Sequence, residues 1–280
     1  MRGRIHIVRG RFITQGAGLM VMAAWLAAAC ATSTQAGARD LGRIIASGTL
    51  NVGINPGLPP LGQYGRTNAL EGFDIDIATQ LAGALGVRAN LVPVTSAGRI
   101  PYLMANKVDI ILGGMTRSPE RARVIAFSAP LYTEAFSILT PGTGHPDSLA
   151  ALDRPDMRLV EARGSSAVPF VATHAPQALL LDGYPDVIRA LAQGRADAMI
   201  DVSEYVTHYL AAYPATHWHV THLAGVPVDY DCVGLAQDNA PLLARLNQAI
   251  ATMHRTHAME NTYEKWFGTP MAPLPAGSAP

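Results

Sequence analysis

Short apolar runs that alternate with helical patterns most restrict the folds open to this sequence. Residues 50–54 and 89–94 have the composition of buried strands, and residues 76–85 between them carry apolar side chains along one helical stripe. Residues 99–106 and 109–112 repeat the helix and the strand. This order predicts an α/β fold with a mostly parallel sheet flanked by helices.

The same alternation begins again after a turn-rich stretch at residues 141–146. The pattern there predicts strands at 158–161 and 198–200 and helices at 165–174, 187–193 and 241–266. We therefore predict two α/β lobes.

The N-terminus has the pattern of a secretory signal peptide. Four arginines precede an apolar run at residues 19–31, and the small residues 36–38 (AGA) follow it. The run is too short to span a bilayer as a helix of about 20 residues. We expect cleavage after Ala38. The alternatives are an amphipathic or anchoring N-terminus, or lipidation at Cys30, whose surroundings loosely resemble a lipoprotein cleavage box.

Cleavage would leave 17 basic and 21 acidic residues, a net charge of −4. A mildly acidic chain without a basic stripe is a poor candidate for nucleic-acid binding. One cysteine would remain, Cys232, which cannot form an internal disulfide. It lies in the apolar residues 231–235, so we expect it to be buried in a strand.

Residues 114–121 (GMTRSPER) combine a strand end with a helix-start signal. Ser118 suits the N-cap, Pro119 the first helical position, and Glu120 the positive end of the helix dipole. Arg121 would then lie where a cation is unfavourable unless an anion binds. Free N–H groups and a guanidinium together suit a carboxylate. The alternative is a surface arginine paired with Glu120 or a neighbour.

A second candidate helix start, at residues 164–166 (GSS), follows a predicted strand in the other half. Glycine allows close backbone approach, and serines supply hydroxyl and N–H donors. Two such starts could face each other across a cleft and share one anion, because ligands in open α/β sheets bind beyond the carboxyl ends of strands. The alternative is an ordinary serine cap.

Five segments, in the same order, resemble one family of proteins. They are residues 72–77 (GFDIDI), 114–128, 164–166 (GSS), 194–198 (GRADA) and 263–268 (YEKWFG). The chain resembles the amino-acid-binding family of periplasmic solute-binding proteins that serve ABC importers, over residues 40–270. Within that family it looks most similar to the polar or glutamate/aspartate branch.

This resemblance implies a two-lobed, type II periplasmic-binding-protein fold with a two-crossing hinge near residues 135–140 and 228–234. The implied divisions are a signal peptide (1–38), lobe 1 (39–136, with 232–270 returning to it), lobe 2 (137–231) and a disordered tail (271–280). The implied partners are a small amino acid or related carboxylate and an inner-membrane permease. We expect a periplasmic monomer with no cofactor and no metal.

The family's ligand-binding residues can be transferred where this sequence matches. Arg121 would bind the ligand α-carboxylate, helped by Thr116 and by the N–H and hydroxyl of Ser166. Gly114 would offer backbone groups to the ligand.

Residues 95–101 (TSAGRIP) resemble a segment of the glutamate/aspartate branch. There, the residues that correspond to Ser96 and Arg99 reach an acidic ligand side chain. The alternative for Arg99 is a helix-start arginine in solvent.

Three positions depart from the family pattern. Leu58 stands where an aromatic residue usually lies against the ligand, and Asn55 replaces an arginine of acidic-ligand members, although we retain Asn55 as a candidate ligand contact. The usual ammonium-binding aspartate position is Val202 by direct count, with Asp201 one residue early. Because side chains alternate along a strand, this slip would turn Asp201 away from the cleft. Either a local deletion restores it, and we retain Asp201 as a candidate ligand contact, or ammonium recognition uses another residue. Glu204 is a possible substitute.

Two rival functions remain open. A dehydratase of the cyclohexadienyl or arogenate type resembles these receptors and would use Glu204 or Asp201 as a general acid. A sensor domain is the other alternative. Asp74 and Asp76 are best interpreted as helix caps, and the histidines at 217, 219 and 222 as part of a polar loop rather than a metal site.

Overall fold

The structure is a computed structural model, which describes residues 37–142, 146, 148–210, 213–223, 226 and 229–275. The predicted signal peptide up to residue 36, including Cys30, lies outside the described residues, as does the end of the predicted tail. Within the part of the chain that is described, no helix is long and apolar enough to cross a membrane.

Twelve strands and eight α-helices are named here in chain order, within the described residues. The strands are β1 (Thr49–Ile54), β2 (Gln63–Tyr64), β3 (Leu70–Glu71), β4 (Arg88–Pro93), β5 (Ile110–Ile111), β6 (Ala126–Glu134), β7 (Phe136–Pro141), β8 (Val160–Ala162), β9 (Leu179–Leu181), β10 (Met199–Val202), β11 (Trp218–His222) and β12 (Asp229–Leu235). The helices are α1 (Leu41–Ser47), α2 (Phe73–Ala84), α3 (Arg99–Met104), α4 (Val168–His174), α5 (Tyr184–Ala192), α6 (Ser203–Leu210), α7 (Ala240–Arg255) and α8 (Ala258–Phe267).

The first lobe is built on a five-stranded sheet in the order β4-β1-β5-β12-β6. β1 pairs in parallel with β4 and β5, whereas β12 is antiparallel to β5 and β6. α2 packs on this sheet through Phe73, Ile77 and Leu81, which are fully buried. The predicted strands and helices of this half are present, but the sheet is mixed rather than mostly parallel.

The second lobe contains the antiparallel sheet β10-β7-β11 and the parallel pair β8-β9. The N–H of Val160 donates to the carbonyl of Ala198 at 3.0 Å, which joins the pair to the sheet. Buried residues of α5, among them Val187 and Leu191, fill the core beneath. Parallel pairing is therefore the minor component in this lobe.

The chain crosses between the lobes at two places. Ala135 alone separates β6 in the first sheet from β7 in the second. The return crossing lies between His222, the end of β11, and Asp229, the start of β12. The predicted crossings at 135–140 and 228–234 therefore fall mostly within β7 and β12, because β7 lies entirely in the second sheet and β12 entirely in the first.

The C-terminal segment forms two helices instead of the single predicted one. His257 has φ 57°, a left-handed conformation that interrupts the helix between α7 and α8. α8 packs its aromatic rings on the first lobe: Tyr263 and Phe267 stack with centroids 4.2 Å apart, and Phe267 lies 5.6 Å from Phe73. The C-terminal helices thus belong with the first sheet. The exact domain boundaries remain a prediction.

Candidate functional site

A cavity of about 450 Å³ lies between the two lobes. It brings together the two predicted helix starts, at Arg121 and at Ser166. Its walls are formed by Ser96, Ala97, Arg99, Ile100, Met115, Thr116, Ser118, Pro119, Glu120, Arg121, Gly164, Ser165, Ser166, Val168, Pro169, Phe170 and Asp229.

Arg121 begins a three-residue 3₁₀ turn, Arg121–Arg123, and not the predicted α-helix. Ser118 still acts as expected, because its Oγ accepts a hydrogen bond from the N–H of Arg121 at 3.2 Å. β6 starts at Ala126, so the chain has room for only one turn. The helix-dipole argument for an anion therefore fails here, and the case for Arg121 must rest on its side chain.

The guanidinium of Arg121 lines the cavity and, among the described residues, donates only to carbonyl groups. Its Nη1 donates to the carbonyl of Thr116 at 2.8 Å, and its Nη2 to that of Gly164, in the other lobe, at 3.1 Å. It makes no ion pair with a carboxylate among the described residues. Burial, together with the charge of Arg99, lowers the pKa of Arg121 to about 10, so it remains a cation at neutral pH.

Arg99 is buried under the same wall and is only 2% exposed, which excludes the alternative of a solvent-facing arginine. Four backbone carbonyls accept its N–H groups. They are those of Ser96 (3.1 Å from Nε), Gly113, Gly114 and Gly164 (3.0 Å from Nη2). Two guanidinium groups thus converge on the single carbonyl oxygen of Gly164.

Gly164 belongs to the second lobe, and its carbonyl accepts these hydrogen bonds from arginines of the first lobe. Its φ is 80°, and a Cβ there would lie 2.7 Å from the Cα and N of Ala97 and 2.9 Å from the carbonyl carbon of Ser96. Only glycine allows so close an approach of the two backbones. A carbonyl oxygen carries less negative charge than a carboxylate. The guanidinium groups of Arg99 and Arg121 are therefore only partly neutralised, which suits an anionic ligand group.

The other candidate carboxylate contacts lie around Arg121. Ser166 lines the cavity, although α4 begins at Val168 instead of the predicted residue 165. Thr116 is almost fully buried, and its side chain lies beside the carboxyl group of Glu134. The carbonyl of Gly114 accepts a hydrogen bond from Arg99 Nη1.

Asn55 positions a loop and does not line the main cavity. Its Nδ2 donates to the Oγ of Ser96 at 3.0 Å, and its Oδ1 accepts from the N–H of Gly57 at 3.0 Å. Leu58 is buried in the core. The hydroxyl of Tyr209, in the second lobe, donates to the carbonyl of Gly57 at 2.7 Å, so this loop is also an interlobe contact.

Comparisons with known proteins identify the family. Residues 50–269 match the sequence profile of the bacterial extracellular solute-binding proteins, family 3. The chain belongs to this family.

Named relatives and solved structures of the family agree with this assignment. The L-cystine-binding protein TcyJ of Escherichia coli (strain K12) is 28% identical over 250 residues, covering 89% of this chain and 93% of that protein. The solute receptor for L-cysteine of Neisseria gonorrhoeae has a TM-score of 0.74 and 27% identity, covering 81% and 93% of the two chains. The ancestral amino-acid-binding protein AncCDT-1, a precursor of cyclohexadienyl dehydratase, has a TM-score of 0.73 and 29% identity, covering 81% and 98%.

These matches confirm the predicted family and the type II periplasmic-binding-protein fold. They do not separate the glutamate/aspartate branch from the others, so that finer assignment stays a prediction. Members of this family are periplasmic or extracellular.

The residues considered for ammonium binding in this family 3 protein do not line the cavity. Asp201 is fully buried, and its Oδ1 accepts from the N–H of Val202 at 2.7 Å. Burial raises the pKa of Asp201 to about 7. Glu204 lies toward the crossing at Ala135, and burial raises its pKa to about 7 as well. Asp229, a partly buried residue that no sequence motif indicated, lines the cavity together with Glu120 and Arg121.

Asp74 is a structural acid of the first lobe and not the helix cap that we expected. Its Oδ2 accepts from the N–H of Gly113 at 2.7 Å, which fixes the loop beneath Arg99. Asp76 instead accepts from Lys265 Nζ at 2.6 Å and Trp266 Nε1 at 2.7 Å. Both carboxylates therefore hold elements together across the lobe.

Two of the three histidines of the family 3 protein, His219 and His222, lie in a strand, β11, and His217 directly precedes it, so they do not form the predicted loop. His222 Nδ1 lies 2.9 Å from Ser137 Oγ and 3.3 Å from Ser203 Oγ, beside the crossing. Across the described ranges, no group of three or more histidine, cysteine or acidic side chains is arranged to hold a metal ion.

Proposed function

We propose that this protein is the amino-acid-binding component of an ABC importer and that Arg121 binds the α-carboxylate of its ligand. The observation that carries this proposal is the position of the guanidinium. It lines an interlobe cavity, donates to no acceptor but carbonyls in the described part of the chain, and reaches both lobes through Thr116 and Gly164. The named relatives are binding proteins and not enzymes.

Ligand binding would be coupled to closure of the lobes about the two crossings. The carboxylate would contact Arg121 in the first lobe and Ser166 in the second. Because both sets of contacts exist together only when the lobes meet, the ligand has a higher affinity for the closed form. The closed form is what a permease would recognise.

The cavity supports a ligand with a neutral side chain. Ile100, Met115, Val168 and Phe170 supply an apolar wall. The donors of Arg99, which the sequence assigned to an acidic ligand side chain, are directed at four backbone carbonyls. Relatives named for L-cystine and L-cysteine fit the same expectation.

The proposal includes the location of the protein in the cell. A signal peptide cleaved after Ala38 would deliver a monomer to the periplasm, where it would meet an inner-membrane permease. Mass spectrometry of the secreted protein tests this directly, because cleavage after Ala38 and lipidation at Cys30 give different N-termini.

Arg121→Ala tests the site, and Arg123→Ala is its matched control because Arg123 lies exposed in the same turn. Ligands are first found by thermal shift against the twenty amino acids and L-cystine, and dissociation constants are then measured by calorimetry. Loss of one partner of a buried charge pair costs about 2–5 kcal/mol, so Arg121→Ala should weaken binding roughly 30-fold or more. Equal affinity of the two variants would refute the role of Arg121.

A further inference from the structure

Glu134 is a fully buried carboxyl at the junction between the lobes. It is the last residue of β6, and the next residue, Ala135, forms the first crossing. In the sheet register it lies opposite Asp229, where the second crossing enters β12. Both crossings therefore meet the first sheet at this one pair of residues, so any rotation of the second lobe acts here.

Tyr205 brings a hydroxyl of the second lobe to this carboxyl. Its ring is almost fully buried, and its hydroxyl donates a hydrogen bond to Oε1 of Glu134 and lies 3.1 Å from the hydroxyl of Tyr132, in β6. A Cβ added to Gly114 would lie 3.2 Å from the same hydroxyl, so Tyr205 reaches well into the first lobe. Because α6 continues directly from β10 of the second sheet, opening of the lobes would withdraw this hydroxyl.

Acidic side chains from three elements act on Glu134. They are Asp231 of β12, Asp74 of α2 and Glu204 of α6, and the first two are as deeply buried as Glu134 itself. Positive charge comes from Arg121, in the cavity wall. The weaker acids that neighbouring strands and helices bring close are Tyr132, Cys232, Tyr205 and Tyr263. Several ionised carboxylates in one buried space would repel each other.

The closed arrangement therefore favours the neutral form of Glu134. Burial, together with the charge of Asp231, raises the pKa of Glu134 well above its usual range, and hydrogen bonds from Tyr205 and Thr116 offset this only in part. Withdrawal of Tyr205 would give Glu134 access to water, which stabilises the ionised form. The open form should therefore carry the carboxylate.

From this geometry we infer that Glu134 is a proton-dependent switch in the hinge, whose carboxylate takes up one proton from solvent when the lobes close and returns it when they open. Because the closed form binds more protons than the open form, closure is favoured at low pH and is lost as the pH rises through the raised pKa of the closed form. The inference goes beyond the proposed function and holds whichever ligand the cavity binds.

Small-angle scattering of the full chain without ligand, between about pH 5 and about pH 8, measures the ratio of closed to open molecules. We expect this ratio to fall at least roughly 10-fold in the wild type, since one proton changes an equilibrium by up to about 10-fold per pH unit. Glu134→Gln cannot ionise, so its ratio should change about 2-fold or less. Circular dichroism at both ends of the range shows whether each protein is folded.

Glu161→Gln is the matched control. Glu161 is also a fully buried carboxyl, but the groups that act on it, Asp201 and Ser165 among them, belong to the second lobe and stay with it when the hinge moves. This variant should keep the wild-type pH dependence. Asp231→Asn removes the charge that helps to raise the pKa of Glu134, so it should move the loss of closure to lower pH. It tests the same claim if Glu134→Gln does not fold.

Three results would overturn the inference. The first is a ratio of closed to open molecules that is constant with pH in the wild type. The second is wild-type pH dependence in Glu134→Gln or, where that variant is unfolded, in Asp231→Asn. The third is an equal loss of pH dependence in Glu161→Gln, because the effect would then be a general one of buried acids. Each of these leaves the proposed function standing, since ligand binding is measured separately through Arg121.

Discussion

Replacing Gly164 with alanine tests whether contact between the lobes is needed for binding. The residue has φ 80°, and an added Cβ would lie 2.7 Å from backbone atoms of Ala97. Ordinary contact begins at 3.4 Å, so the two backbones would have to separate by at least 0.7 Å. Neither side has a flexible side chain that could move instead.

The separation would remove two charge-assisted hydrogen bonds. Arg99 and Arg121 donate to the Gly164 carbonyl at 3.0 and 3.1 Å, and these distances would grow to about 3.7 Å, beyond hydrogen-bonding range. Each such bond contributes about 1.5–3 kcal/mol. The loss of both, at least about 3 kcal/mol, would weaken a ligand that requires closure by roughly 100-fold.

Gly194→Ala is the matched control, since Gly194 has φ 66° in the same lobe and no atom within 4 Å of an added Cβ. It carries the same left-handed backbone penalty, about 1–2 kcal/mol, without the interlobe clash. Calorimetry measures affinity, and small-angle scattering with saturating ligand measures closure. If Gly164→Ala binds as tightly as Gly194→Ala and reaches the same radius of gyration, the reasoning is wrong.

Three further predictions follow from other contacts. Tyr209→Phe removes the 2.7 Å interlobe bond to Gly57 and should weaken ligand binding roughly 5-fold in calorimetry, with Tyr64→Phe, at an exposed ring, as the neutral comparison. Burial, with the nearby charge of Asp74, raises the pKa of Asp231 to about 8, so its stabilising contribution is complete below about pH 4 and is lost as the pH rises toward 8. Asp231→Asn should therefore raise Tm near pH 8 more than near pH 5 in calorimetric scans, and an equal rise at both would contradict the assignment. Burial raises the pKa of the Cys232 thiol, so a disulfide reagent should label it only after denaturation, and rapid labelling of the native protein would show otherwise.

The strands and helices that pack one face on a core were predictable from periodicity. The predicted strand at 50–54 and helix at 187–193 appear as β1 and α5 because their apolar spacing matches their burial. Strand direction was not predictable in the same way. β12 has the same buried pattern as a parallel strand would, and only its pairing with β6 shows that it runs antiparallel.

The sequence correctly predicted the capping hydrogen bond at Ser118 but not the length of the helical turn that follows it. Ser118 does accept a hydrogen bond from Arg121, yet the turn ends after three residues because β6 follows at once. The break at His257 was likewise not indicated, because residues 254–260 contain no glycine or proline while the backbone at His257 is left-handed.

The position of Arg121 in the cavity was predictable and that of Asp229 was not. Arg121 belongs to a recognisable segment that lies at a strand end, whereas Asp229 reaches the cavity only through the way the second crossing enters β12. Asp201 was sought by counting residues from Gly194. Its side chain is packed inside the second lobe, which a count along the chain cannot establish.

The carbonyl of Gly164 has a consequence for ligand binding. Because this one oxygen accepts hydrogen bonds from both Arg99 and Arg121, it fixes the two guanidinium groups relative to each other. A ligand carboxylate would therefore meet an Arg121 side chain whose direction is already set by both lobes, which reduces the side-chain entropy lost on binding.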